Sequence, residues 1–159
     1  MSEWYQCTVK YEKTMEDGAL KKVSEPYLID ALSFTEAEKR TIEELSHYIS
    51  GIFEVSDIKK ARYVELFEST DDAADRYFKA KISIITLDEN SGKEKRVSQN
   101  LLVQAADLRD ALKRLDEGLK GTMADYLITS LAETPIMDVF HHPLGATSGS
   151  GKKDETAEE

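Results

Sequence analysis

One stretch is written twice, and a chain that repeats it has few ways to fold. The first copy runs Lys22-Val23-Ser24-Glu25-Pro26-Tyr27-Leu28-Ile29-Asp30-Ala31 and leads into Ser33-Phe34-Thr35-Glu36-Ala37-Glu38-Lys39-Arg40. The second runs Arg96-Val97-Ser98-Gln99-Asn100-Leu101-Leu102-Val103-Gln104-Ala105 and leads into Asp107-Leu108-Arg109-Asp110-Ala111-Leu112-Lys113-Arg114. Each reads as a buried strand that enters a capped helix directly.

The match extends well beyond these strings. Trp4 maps onto Tyr77 and Phe67 onto Phe140 at an offset of 73 residues. Gly18 maps onto Gly92, Val23 onto Val97, Ala37 onto Ala111, Lys39-Arg40 onto Lys113-Arg114 and Leu45 onto Leu119 at an offset of 74. The second copy therefore has one more residue in its hairpin and one fewer after its helix, both in loops, where length changes cost least. The alternative is a chance match of two generic strand-strand-helix-strand units.

Within each copy the elements follow from pattern. Residues 4–12 alternate, with Tyr5, Cys7, Val9 and Tyr11 on one face, as a half-buried strand requires. Asp17-Gly18 is a turn signal, and a strand returns over residues 20–32. Pro26 cannot donate to a ladder, which places this strand at an edge or a bulge. Ser33 and Glu36 form a capping box for a helix reaching Tyr48. Its expected apolar stripe is Phe34, Ala37, Thr41, Leu45 and Tyr48, with Arg40 among the residues facing water. A third strand follows from Phe53, and Tyr63-Val64-Glu65-Leu66-Phe67 closes the unit. In the second copy Phe78, Ala80, Ile82 and Ile84 point inward, and Asp88-Glu89-Asn90-Ser91-Gly92 makes the hairpin. Asp107 caps a helix whose apolar face is Leu108, Ala111, Leu112, Leu115 and Leu119. Tyr126 to Glu133 is a strand, and Ile136-Met137-Asp138-Val139-Phe140 closes the second unit.

The fold class expected is α+β: a tandem duplication of a β-β-α-β unit forming one pseudo-symmetric sheet-and-helix domain. A period near 73 is too long for a solenoid. Residues 1–142 make one globular domain of two repeats, 4–67 and 77–140. Residues 143–159, with Ser148-Gly149-Ser150-Gly151 and an acidic tip, form a flexible acidic tail.

Composition narrows the function classes. The formal net charge is −10, which argues against a simple basic nucleic-acid coat, although charge can be segregated by face. Cys7 is the lone cysteine, so no disulfide framework exists and a reducing compartment is expected. With no signal-peptide pattern and no run of about 20 apolar residues, the expected setting is cytoplasmic and away from membranes.

No motif in the chain carries catalysis. The eight glycines are scattered at turns, with no phosphate-cradling loop. His141-His142 could bind a transition metal, but neighbouring residues seldom converge on one ion without other ligands, so a solvated chain end is the plainer reading. Asp71-Asp72 and Glu43-Glu44 lie in a connector and on a helix face. A non-enzymatic binding protein without cofactor or metal is the expectation.

The outward faces of the hairpins are more informative. Trp4, Lys10, Lys22, Tyr77, Lys79, Lys81, Lys95 and Arg96 could share one sheet surface, with Lys59, Lys60, Arg62 and Tyr63 beside it. Aromatic and basic residues interleaved on strands suit single-stranded nucleic acid, which needs stacking for bases and cations for phosphates. The alternative is that Trp4 and Tyr77 pack at the seam between the units and the lysines are simply solvated. The acidic tip could compete for such a groove or recruit a replication or recombination protein, or it could merely solubilise. An acidic adaptor or inhibitor of a host or phage enzyme is the second functional reading, and self-association is compatible with both.

Tyr27-Leu28-Ile29-Asp30-Ala31-Leu32-Ser33-Phe34-Thr35-Glu36-Ala37-Glu38, with Val103-Gln104-Ala105 and Gly121-Thr122-Met123-Ala124-Asp125-Tyr126, resembles a domain-of-unknown-function family of small proteins from Bacteroidetes and their phages and prophages. The resemblance covers Trp4 to Phe140. It implies a mobile-element-linked protein near DNA replication or recombination genes, and it assigns no residue a role.

Overall fold

The computed structural model describes residues 3–141. The expected tail over 143–159, and His142, lie outside the described residues. The described residues form eight strands in two four-stranded sheets, with two helices. They divide into two compact units. Among the described residues, unit 1 is made of 3–61 and 136–141, and unit 2 of Arg62–Pro135.

In unit 1 the strands are β1 (Glu3–Thr14), β2 (Leu20–Ala31), β3 (Phe53–Ala61) and β8 (Val139–Phe140), with helix α1 (Phe34–Leu45) between β2 and β3. In unit 2 they are β4 (Glu65–Phe67), β5 (Arg76–Leu87), β6 (Glu94–Ala105) and β7 (Asp125–Glu133), with helix α2 (Leu108–Gly118) between β6 and β7. The sheet orders are β3-β1-β2-β8 and β7-β5-β6-β4. In each sheet a long antiparallel hairpin occupies the centre. The post-helix strand pairs antiparallel with the first hairpin strand, and the short strand runs parallel to the second. Both sheets bulge at matching points, between Thr8 and Val9 against β3 and between Lys81 and Ile82 against β7.

One sequence expectation is corrected here. Residues 63–67 and 136–140 do not close the copies that precede them. Leu66 and Phe67 sit beside Leu102 and Val103, while Val139 and Phe140 sit beside Leu28 and Ile29. Each closing strand therefore belongs to the sheet of the other copy. Chain geometry explains it for β4. After β3 the chain stands at the far edge of the order β3-β1-β2, three strand spacings, or about 14 Å, from the free side of β2. Only residues 62–64 separate β3 from β4. Four residue steps reach about 14 Å at full extension, and the path must also run back along the strand axis.

The Pro26 expectation is met in part. Pro26 lies opposite Thr8 with no register shift between β1 and β2. Its carbonyl accepts from the Met137 amide, and the Leu28 amide donates to the Asp138 carbonyl, both on the outer side of β2. Backbone direction alternates along a strand, so the Pro26 nitrogen also faces that outer side, where no ladder partner is lost. In unit 2 the Val64 amide donates to the Asn100 carbonyl in the same way.

The helices start where their caps dictate. The Ser33 hydroxyl accepts from the Glu36 amide, and the Glu36 carboxylate accepts from the Leu32 amide. Asp107 accepts from the Asp110 amide, and the Asp110 carboxylate from the Ala106 amide. Each reciprocal pair satisfies one amide that the helix start leaves unbonded and the amide just before the cap residue.

Each helix covers one face of its own sheet. In unit 2, Ala111, Leu115 and Leu119 pack with Phe78, Ala80, Ile82, Leu101, Val103 and Ala105. In unit 1, Ala37 packs with Tyr5, Cys7, Ile29 and Ala31, and Leu45 with Val9 and Tyr27. The expected stripes are narrower than the pattern implied. Phe34, Tyr48, Leu108 and Leu112 are largely exposed, because they lie at the helix ends or on the flank.

Arg40, expected to face water, is 8 % exposed. Its guanidinium donates to the Asp30 and His141 carbonyls, tying the segment after β8 to the helix. The matching Arg114 donates to Asp110, to the Ser69 hydroxyl and to Asp71 just beyond β4. A buried guanidinium needs such partners, since an unmet charged donor is expensive.

Candidate nucleic-acid interface

Strand alternation decides which candidate residues can act together. On β5, Phe78, Ala80, Ile82 and Ile84 face α2, so Tyr77, Lys79, Lys81, Ser83 and Ile85 face the opposite way. Residues directly paired across antiparallel strands share a face. Arg96 pairs with Ile85 and therefore joins Lys79 and Lys81, whereas Lys95 pairs with Thr86 and lies on the helix side. Asn100 pairs with Lys81 and Ser98 with Ser83, on the open face. Ser130 of β7 flanks Lys81 from the other side.

Lys79, Lys81 and Arg96 are exposed on this open face, and the residues paired between them are hydroxyl, amide and apolar groups. Two carboxylates share this face at its Arg96 end: Glu94, two residues from Arg96 and paired with Leu87, and Asp125, paired with Ile85 at the end of the β5–β7 register. Tyr77 shares the face but is only 5 % exposed, so its ring is not available as an uncovered stacking surface.

Unit 1 places Trp4, Lys10 and Lys22 on the corresponding face, opposite the series Tyr5, Cys7 and Val9 that packs toward α1. Here the charges alternate in sign. Lys22 pairs with Glu12, Lys10 with Glu54, Thr8 with Asp57 and Gln6 with Lys59. Trp4 is half-buried, and its indole meets the His141 ring edge-on with centroids 5.3 Å apart. Lys60 is engaged with Glu3 at 3.2 Å.

The other reactive groups sit in structural settings. Cys7 is fully buried, and burial pushes its thiol up despite the Thr41 hydroxyl beside it. Asp110 is held below the usual carboxylate range by the Ala106 amide and then by Arg114. Tyr11 is pushed up to about 12 by burial and by its 2.9 Å hydrogen bond to Glu25. Among the described residues no group of three or more His, Cys, Asp or Glu side chains is placed to hold a metal ion, and no helix is long and apolar enough to cross a membrane.

Sequence reasoning missed two things. It joined Lys95 to the wrong face, because one residue of register changes the side of the sheet. It also left Ser98, Asn100 and Ser130 out, because only strand order brings them beside the lysines.

The chain belongs to the family described as Domain of unknown function (DUF4494), whose model matches residues 3–142. The comparison with curated proteins returns no match.

Proposed function

We propose that this member of a family of unassigned function is a non-enzymatic nucleic-acid-binding accessory, acting on single-stranded DNA in phage or prophage DNA metabolism within the cytoplasm. The observation that carries the reading is the open face of unit 2. Lys79, Lys81 and Arg96 lie there among hydroxyl and amide side chains, in a chain of net charge −10. A local cationic strip on an acidic protein suits a polyanion held by its phosphates. Burial of Tyr77 shifts the weight of this reading from base stacking to phosphate contact.

The two units are read as descendants of one β-β-α-β sequence. Matching caps, matching bulges, matching sheet order and the paired arginines Arg40 and Arg114 support that duplication.

Fluorescence anisotropy with labelled single-stranded DNA at two salt concentrations tests the function. Three neutralised phosphates give a log–log salt slope of about −2, at about −0.7 for each contact on a single strand. Lys79→Ala, Lys81→Ala and Arg96→Ala combined should abolish the anisotropy change. Binding that survives this triple change, or no binding at low salt, rules the surface out. A second reading, an acidic adaptor or inhibitor of a host or phage enzyme, is favoured by the net charge and by exposed Phe34, Ile42, Leu108 and Leu112 on the helices. Recovery of one stoichiometric protein partner, with no oligonucleotide shift, would decide for it.

A further inference from the structure

Unit 1 contains a cavity of about 210 Å3 lined by Tyr27, Leu45, Tyr48, Met137, Asp138 and Phe140. It lies where the outer edge of β2, the short strand β8 and the end of α1 meet. Its volume is below the roughly 300 Å3 at which pockets for drug-sized ligands begin, and it suits one compact group. Three of the six lining residues are aromatic. Tyr27 and Phe140 stack with centroids 5.8 Å apart and ring planes 16° from parallel. Tyr48 stands 73 % exposed at the mouth, and Leu45 forms a buried floor. Met137 adds a polarisable thioether.

Two carboxylates bear on the cavity wall. Asp138 is exposed in the wall. The Tyr27 hydroxyl donates to Glu25 at 3.2 Å, and Tyr11 donates to the same carboxylate oxygen at 2.9 Å. Burial raises the Tyr27 phenol above its ordinary value, and the charges of Glu25 and Asp138 raise it further, so both carboxylates bear on the same ring. A cavity lined by three aromatic residues and flanked by carboxylates attracts cations and repels anions.

The matching place in unit 2 is built otherwise. Phe67, the counterpart of Phe140, lies against Gly118, where a Cβ would stand 2.8 Å from its ring. Unit 1 has Glu44 at the position of Gly118, so Phe140 cannot settle on the helix in that way and stacks on Tyr27 instead. Tyr27 is replaced by Leu101, and Tyr48 falls at Gly121-Thr122. The aromatic set is therefore no requirement of the scaffold.

We propose that this cavity binds a compact organic cation, a quaternary or methylated ammonium group, by cation–π contact with Tyr48 and Phe140, the latter backed by the buried Tyr27 ring, and by attraction to Asp138. The inference is independent of the nucleic-acid reading, since it concerns the other unit.

The test is a titration of the full chain, labelled at its methionine methyl groups, with tetramethylammonium, with a trimethyl-lysine peptide and with the uncharged tert-butyl analogue of the cation. The Met137 resonance, assigned through Met137→Leu, is the readout. Saturable shifts with the cations, absent with the neutral analogue, are expected. Tighter binding of the peptide than of the free ion assigns the source to a protein side chain, and equal binding assigns it to a free small molecule. Tyr48→Ala removes an exposed ring without touching the core and should weaken binding about tenfold, within the range of a partly desolvated cation–π contact. Asp138→Asn keeps an acceptor for the Val139 amide and should also weaken binding. Equal shifts with the neutral analogue, no shift with either cation, or affinity unchanged in both variants would overturn the proposal.

Discussion

Phe140 and Phe67 occupy matching short strands in two units of the same sheet order, yet one ring stacks on Tyr27 and the other lies against Gly118. The contrast recurs wherever the units are compared. Arg40 reaches backbone carbonyls, whereas Arg114 reaches two carboxylates and a hydroxyl. Thr41 and Cys7 fill core positions in unit 1 that Leu115 and Ala80 fill in unit 2. The open face of unit 1 alternates in charge, whereas that of unit 2 places Lys79 and Lys81 among apolar, hydroxyl and amide partners and gathers its carboxylates, Glu94 and Asp125, at the Arg96 end. One scaffold holds both chemistries, because caps, hairpins and bulges set the backbone while the covered and open faces vary.

The largest contrast is expected in the cores. Leu115 is fully buried under β5 and β6, so Leu115→Ala should cost about 2–5 kcal/mol in urea unfolding. Thr41, at the matching helix position, donates its hydroxyl to the Ala37 carbonyl at 2.7 Å. Thr41→Ala should cost about 1 kcal/mol, the net worth of one hydrogen bond. Equal costs would show that the two cores are packed alike after all.

A smaller effect separates the phenylalanine seats. Gly118→Glu places in unit 2 the residue that unit 1 has at position 44. The new Cβ meets the Phe67 ring at 2.8 Å, so overpacking should cost about 1–3 kcal/mol, outweighing a helix-propensity gain of about 1 kcal/mol. Glu44→Gly has only the propensity loss to bear. A stabilised Gly118→Glu protein in the same unfolding assay would mean that Phe67 is free to move aside.

The smallest effect distinguishes the arginines through pH. Asp110 has a folded-state value below its unfolded one, so its contribution is present above the ordinary carboxylate range and is lost as pH falls through the depressed folded value. Asp110→Asn should therefore lower the Tm at neutral pH, with the difference fading in acid. Arg40 bonds neutral carbonyls, so Arg40→Met should lower the Tm by a similar amount across the same range. A pH-independent Asp110→Asn effect would assign Asp110 to capping alone.

Much of this molecule is legible in local pattern. Alternation around Cys7 and Ile82, the caps at Ser33 and Asp107, the turns at Gly18 and Gly92 and the matched spacing of the two halves are all short-range features, and the chain states them directly. The inward series on β1 and β5 follows from period two alone. Strand order does not follow, since an edge can accept any strand that reaches it. That is why residues 63–67 and 136–140 read as closing their own copies and instead complete the other sheet. The same long-range pairing buried Arg40 by bringing the His141 carbonyl to it, placed Lys95 on the face opposite Lys79, and assembled Tyr27, Tyr48 and Phe140 around one cavity. The sequence by itself determined the elements, their caps and their inward faces, because those depend on neighbours a few residues away. The tertiary structure alone decided which edges pair and which side chains meet, because those depend on the reach of the chain between distant segments.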